Sequence, residues 1–304
     1  MERVEMTSGG LQRETPALLQ VVSGGDRRWC ARVGQELRAF PRETSLGSLL
    51  SLSAGDLEAT FRQVAESGDP VVAKKVVTPV DDDTEVWAAG VTYEVSRGAR
   101  MEESREATIY ERVYDADRPE LFFKSVGWRV RGPGQSIGVR ADSAWNVPEP
   151  EIAVVVNAGQ ELVGFTICND VSSRSIEAEN PLYLPQAKCY RGGCAVGPWI
   201  VPAWALADPY DLDIAMDIQR GGASVWSGST STTLLHRRFE ELVEYLFRGD
   251  VFPRGVILST GTAAVPPDEF TLTEGDTVVI SIESLGTLSN PVLCGAGGPG
   301  WDLG

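Results

Sequence analysis

Histidine is nearly absent from this sequence. The 304 residues contain one, His236. It falls in TTLLHRRFEELVEYLF, whose Leu235, Phe239, Leu242, Val243 and Leu246 predict an amphipathic helix. His236 sits beside that stripe among two arginines, so it reads as a surface or half-buried residue rather than a base. Cysteine is also sparse. The five (Cys30, Cys168, Cys189, Cys194, Cys294) are odd in number and form no CxxC pair. That excludes a disulfide framework and a zinc ribbon and fits a reducing compartment. No apolar run approaches the roughly 20 residues that span a bilayer. The first residues, MERVEMTSGG, lack an apolar signal core. The expected location is therefore the cytoplasm. Basic residues are outnumbered, 27 against 43 acidic ones, for a net charge of −16. Such a balance argues against nucleic acid and anionic membranes as partners. It leaves an anionic small molecule open, because a metal and a few cations can reverse the local field. Dinucleotide and P-loop fingerprints and internal repeats are missing too.

What remains is an ordinary globular composition, 42% apolar and 23% charged, long enough to bury a sizeable core. The first part, residues 1–78, reads as a small leading unit. ALLQVVS and Cys30–Gly34 predict short strands about Gly24-Gly25, and Leu57, Phe61 and Val64 have helical spacing. Nothing there carries chemistry, so a packing or dimerisation role is expected. KKVVTPVDDDT then reads as a linker, with Asp81-Asp82-Asp83 a solvated turn, since three successive carboxylates cannot all face one ion. The larger unit is expected over 79–304.

Chemistry concentrates between Trp145 and Lys188. Glu149 and Glu151 are two apart in β-type sequence, so both project to one face. The apolar run Ile152–Val156 predicts a buried strand behind them. Adjacent carboxylates repel unless something positive lies between them. A hard cation such as Mg2+ answers that need, and Mn2+ or Ca2+ suits oxygen ligands equally. Asp170 ends another predicted strand and is followed by Val171-Ser172-Ser173-Arg174, a setting for a supported third ligand. YLPQAK reads as irregular, and Lys188 reaches this site only if its loop folds back.

Other candidates surround it. Arg97 and Arg100 would stack on one face of a helical turn, either to hold a carboxylate or to pair with Glu94, Glu102, Glu103 or Glu106. In PELFFK, alternation puts Glu120, Phe122 and Lys124 on one face, either lining a cavity or wetting an edge. LSTGT predicts a strand and a glycine turn. Its amides and Thr262 either cradle a carboxylate or form a plain turn. FTLTEGDTVVISIE predicts a hairpin about Glu274-Gly275-Asp276.

Together, GVTYEVSR, PELFFK, the Glu-Pro-Glu pair, VGFTICNDVSSR, the QAK lysine, CAVGPWIVP and LSTGTAAVP resemble the fumarylacetoacetate hydrolase family, over about residues 85–295. Within it the sequence looks most like the dehydratases of 2-keto-3-deoxy sugar acids. The resemblance implies a mixed α+β, β-rich catalytic C-terminal domain, a smaller N-terminal domain and a homodimer or homotetramer. It also implies that Glu149, Glu151 and Asp170 ligate Mg2+ (or Mn2+ or Ca2+) and that Lys188 lies in the active site. One departure matters. Hydrolases of the family carry a histidine soon after the motif that reads Tyr93-Glu94-Val95-Ser96-Arg97 here, and this chain has none there. A reaction without an attacking water fits better, namely loss of water from a 2-keto acid through a metal-stabilised enolate. Lys188 and Glu120 are the expected proton-transfer groups. Arg97, Thr262, Lys124 and Arg174 are the candidates for holding the substrate. Acylpyruvate hydrolysis, keto-acid decarboxylation or isomerisation on the same fold stays open, as does binding of a keto acid without turnover.

Overall fold

The computed structural model describes residues 15–94 and 112–295. Arg97 and Arg100 fall outside them. β-Branched and apolar alternation dominates the chain, and most of it forms strands. Among the described residues these build an eleven-stranded sheet, a five-stranded sheet and a two-stranded ladder. The long sheet is antiparallel except where Val256–Ser259 runs parallel to Glu85–Gly90. At its centre Pro150–Val156 lies between Leu162–Asp170 and Val256–Ser259. Both faces of this strand are covered, which is why Ile152–Val156 reads as a continuous apolar run rather than an alternation.

The two faces pack against different partners. Ile152, Val154, Val156 and Ile167 join Ile214, Met216, Ile280 and Leu288 of the small sheet in one core. The helix Phe239–Phe247 adds Phe239, Leu242 and Leu246 to it. On the opposite face Ala153, Val155, Cys168 and Ile257 pack with Leu46, Leu49, Leu57 and Phe61. Those side chains come from the helices Leu46–Leu50 and Ala54–Ser67 of the leading unit. Both helices start at serine caps, Ser45 and Ser53, whose hydroxyls accept from Ser48 and Asp56 amides. The leading strand Ala17–Ser23 also pairs with Cys194–Pro202 through Leu18 and Ile200. The leading unit therefore extends the sheet and roofs one of its faces.

Several elements differ from expectation. Lys75–Val77, expected in a linker, is a strand on Ala17–Ser23. The aspartate run is a turn, and it also anchors: Asp81 accepts from the Gly47 amide at 2.9 Å, and Arg254 lies 2.9 Å from Asp83. The expected hairpin at 270–283 is displaced. Asp276–Ile282 pairs with Gly286–Cys294, so the reversal falls at Glu283–Leu285, where Ser284 has φ +62°. The helix around His236 is shorter than predicted. It begins at Phe239, after a 3-10 turn at Thr232–Leu234. His236 is exposed between them, with its ring stacked on Tyr114 at 4.2 Å between centroids. It is a surface residue, as the sequence implied.

Leu57 is fully buried beneath the central strands. Leu57→Ala should lower unfolding free energy by about 2–5 kcal/mol, the usual cost of a buried leucine cavity. Urea titration followed by circular dichroism checks this. A loss below about 1 kcal/mol would mean that the leading helices do not roof the sheet.

Candidate active site

The site follows from strand register. Pro150 pairs with Asn169 and Glu151 with Cys168, and the Asp170 amide donates to the Glu149 carbonyl at 3.0 Å. Alternation along each strand then puts Glu149, Glu151, Cys168 and Asp170 on one face of the sheet. The three carboxylates converge from two neighbouring strands. One ligand oxygen from each lies within 4.8 Å of the others. All three are buried, at 2%, 1% and 1% exposure.

Such a cluster is unstable by itself. Two like charges about 4 Å apart cost roughly 4 kcal/mol at an effective dielectric of about 20, before desolvation. Positive charge is supplied unevenly. Lys188 Nζ donates to Glu149 Oε2 at 2.6 Å, Asp170 Oδ2 at 3.2 Å and Ser172 Oγ at 2.6 Å. Arg174 lies 3.4 Å from Glu149 Oε1. Lys124 Nζ lies 2.5 Å from Asp170 Oδ1. Among the described residues the donors to Glu151 Oε2 are neutral: the Ser259 hydroxyl at 2.5 Å and the Gly261 amide at 2.7 Å. Burial, and then the Asp170, Cys168 and Glu149 charges, push the Glu151 carboxyl well above the usual range, against a smaller opposing effect of Ser259. Glu151 is thus the carboxylate that most needs a cation. With oxygen donors only, the residues present fit a hard divalent ion.

Lys188 arrives through a helix. YLPQAK, expected to be irregular, forms a 3-10 turn at Pro181–Tyr183 and a helix at Leu184–Lys188. Asn180 caps the turn through its side chain, and Pro181 and Pro185 occupy first-turn positions where a missing N–H costs nothing. Lys188 ends that helix, and its ammonium also lies 5.5 Å from the Phe122 ring centroid.

Glu120 begins the edge strand Glu120–Val126, opposite Gly90. A Cβ on Gly90 would collide with the Glu120 carboxylate, so glycine is needed for that approach. Glu120 is half-buried, as a group meeting both protein and solvent should be. Thr262 is buried just past the Gly261 turn, its hydroxyl accepting from the Ala264 amide at 3.3 Å. The LSTGT turn does cradle a carboxylate through its Gly261 amide, but that carboxylate is Glu151. Gly261 has φ +89°, and a Cβ there would meet the Thr92 hydroxyl.

Lys124 departs from the expected substrate role. Its ammonium donates to the Val171 carbonyl at 3.0 Å and the Lys188 carbonyl at 2.6 Å, and its third near neighbour is Asp170. Two backbone carbonyls and a paired carboxylate around an ammonium that is 1% exposed make it a brace between protein groups. Arg174, another expected substrate-holder, is likewise buried, against Glu149. Sequence reasoning missed Ser259, whose only signal was its place beside the glycine turn. It also missed Tyr190, half-buried, whose hydroxyl donates to the Val171 carbonyl at 3.0 Å.

A β-rich fold with a buried Glu-Glu-Asp set and an attending lysine defines a class, that of proteins with a carboxylate centre suited to a hard metal ion. The profile described as fumarylacetoacetate (FAA) hydrolase, C-terminal, matches residues 85–293. The chain belongs to the fumarylacetoacetate hydrolase family. It is 46% identical over 257 residues to a probable 2-keto-3-deoxyxylonate dehydratase of Haloferax volcanii, covering 84% of this chain and 89% of that protein. It is 47% identical over 222 residues to the 2-dehydro-3-deoxy-D-arabinonate dehydratase of Saccharolobus solfataricus, covering 72% of this chain and 74% of that one. Among solved structures, 2-keto-3-deoxy-D-arabinonate dehydratase complexed with magnesium and 2,5-dioxopentanoate superposes with a TM-score of 0.78 at 38% identity. That match covers 91% of this chain and 98% of that chain. A fumarylacetoacetate hydrolase of Exiguobacterium antarcticum shares the fold at 21% identity and a TM-score of 0.70.

The raised Glu151 carboxyl has a pH signature in metal-free protein. The folded state keeps a proton that the unfolded chain releases near the ordinary value of 4.5. Stability therefore falls as pH rises from about 4.5 toward the folded value. Glu151→Gln should flatten that slope. Denaturant titrations in EDTA across pH 4–8 measure it, and identical slopes in both proteins would rule the assignment out.

Proposed function

We propose that this protein is a metal-dependent dehydratase that removes water from a 2-keto-3-deoxy sugar acid, forming 2,5-dioxopentanoate from a pentonate. The observation that carries the reading is the buried Glu149, Glu151 and Asp170 set with Lys188 bonded into it, on a chain close to half identical to two such dehydratases. The three carboxylates hold Mg2+, the ion in the related structure; Mn2+ or Ca2+ suits the same donors. Bound there, the ion supplies Lewis acidity toward the keto and carboxylate oxygens of the substrate and so acidifies its C3 protons.

The chain's own residues do the rest. Lys188 and Glu120 share the proton traffic: one removes a proton from C3, the other delivers one to the departing C4 hydroxyl, so a water molecule leaves. Shift of the double bond toward C5 and tautomerisation of the resulting enol give the aldehyde. The Phe122 ring flanks the Lys188 ammonium at 5.5 Å from its centroid. Thr262 and Arg97 hold the substrate; Arg97 lies outside the described residues. The only histidine, exposed His236, takes no part, which suits elimination better than hydrolysis.

The reading extends to the rest of the molecule. Residues 1–78 form the small N-terminal domain and 79–304 the catalytic one, consistent with a family match that starts at residue 85. The protein works in the cytoplasm, in keeping with five unpaired cysteines and no described helix long and apolar enough to cross a membrane. It assembles as a homodimer or homotetramer, which light scattering would establish.

Purified protein with Mg2+ should convert 2-keto-3-deoxypentonates to 2,5-dioxopentanoate, followed by an aldehyde-coupled assay. EDTA should stop turnover and added Mg2+ restore it. Lys188→Met should lower kcat about 100- to 10,000-fold, the usual contribution of a general acid or base. Absence of product from every 2-keto-3-deoxy pentonate and hexonate tried, alongside turnover of acylpyruvates or oxaloacetate, would replace dehydration with another reaction of the family.

A further inference from the structure

Lys124 is a buried cation that the proton transfers above do not use. It lies on the edge strand Glu120–Val126, far in sequence from everything it touches. Its Nζ reaches three places at once: the Asp170 carboxylate, the backbone carbonyl of Val171 and the backbone carbonyl of Lys188. The first is one of the three carboxylates. The last belongs to the residue whose side chain bonds two of them. Tyr190 closes the arrangement, with its hydroxyl on the same Val171 carbonyl and its ring 5.8 Å from the Lys124 ammonium.

The geometry divides Asp170 between two lysines. Oδ1 faces Lys124 and Oδ2 faces Lys188. The Lys188 carbonyl is the last one of a five-residue helix, where no intrahelical donor follows. The Cys189 amide bonds back to Pro185, and the ammonium of Lys124 meets the Lys188 carbonyl. The cation also sits at the negative end of that helix.

We propose that Lys124 is a positioning residue: it fixes the rotamer of Asp170 and the end of the Lys188 helix together, so that one buried charge aligns a metal ligand and the proton-transfer lysine. This rests on the dehydratase reading for the role of Lys188, but not for that of Asp170. The substrate never touches Lys124. Its removal is therefore expected to act on kcat and on metal affinity, and to leave KM for the keto acid nearly unchanged.

The test uses Lys124→Met, of similar length and uncharged, with Lys124→Gln as a second variant should the first fail to fold. Calorimetry with Mg2+ alone should show affinity weakened about 10- to 100-fold, the scale seen when a residue supporting a ligand is lost. Turnover should show kcat reduced at least about 10-fold with KM changed less than about threefold. The decisive arm is the cycle with Lys188→Met. If Lys124 acts through Lys188, the double variant has the kcat of Lys188→Met alone. Multiplying effects in the double variant, or wild-type Mg2+ affinity in a folded Lys124 variant, would overturn the proposal. So would failure of both variants to fold, which would make Lys124 a residue of the fold alone. Should no 2-keto-3-deoxy acid be turned over by the wild-type protein, the dehydratase reading fails by itself, and the Mg2+ titration still decides whether Lys124 sets Asp170.

Discussion

Three carboxylates buried within a few ångströms of one another are the constraint around which this molecule is built. Each loses several kcal/mol of hydration on burial, and each repels the other two. Attraction to fixed cations offsets part of this. Lys188, Lys124 and Arg174 attend Glu149 and Asp170, whereas Glu151 has Ser259 and the Gly261 amide. The imbalance suits a cation site: a set fully neutralised by its own lysines would have little left for a dication, whereas here Glu151 lacks a cationic partner among the described residues while Glu149 and Asp170 are held by theirs.

Rigidity of the surroundings makes that compromise sustainable. The carboxylates hang from central strands covered on both faces, by the small sheet on one side and the leading helices on the other. The leading unit thus contributes to a site from which it supplies no described ligand. Its helices pack on the strands that carry Glu151 and Ser259, and its first strand pairs with the one that follows Asp170 in the sheet. A shift of one residue in the Pro150–Asn169 register would send Glu149 and Glu151 to the face opposite Asp170 and break up the set. Register is therefore the geometric quantity the two cores protect.

The chemistry follows from what the chain offers. It provides a buried carboxylate set that fits a hard ion, an ammonium bonded into that set and a half-buried glutamate at the start of an edge strand, while its histidine is exposed and stacks on a tyrosine. Those are the parts of an enolate-forming elimination. Lys124 adds a structural economy, because one ammonium meets both Asp170 and the last carbonyl of the Lys188 helix. Its place on an edge strand, with Glu120 four residues earlier, means that a single strand carries an acid–base candidate and a support for the other one.

The carboxylate pair was legible in sequence because strand periodicity is local. Residues two apart must share a face, and Glu149 and Glu151 are followed by a run that has to be buried. Asp170 was legible for the same reason, as the end of a strand. The hard-ion chemistry was likewise readable from residue type and spacing, and the β-rich class from the family resemblance. Partners distant in the chain were not. Lys124 looked like a substrate-facing cation because its strand alternation is the same whether the face meets a cavity or a buried carboxylate. The Gly261 turn looked like an anion cradle, and only folding showed that the anion is Glu151. The hairpin was misplaced because the turn residues Glu274-Gly275-Asp276 outweighed a reversal at Glu283–Leu285 that depends on pairing with Gly286–Cys294. Sequence determined which groups face which way along each strand, since backbone geometry alone sets that. Tertiary structure decided which groups meet, because contacts between residues tens of positions apart are chosen by packing and charge neutralisation over the whole chain.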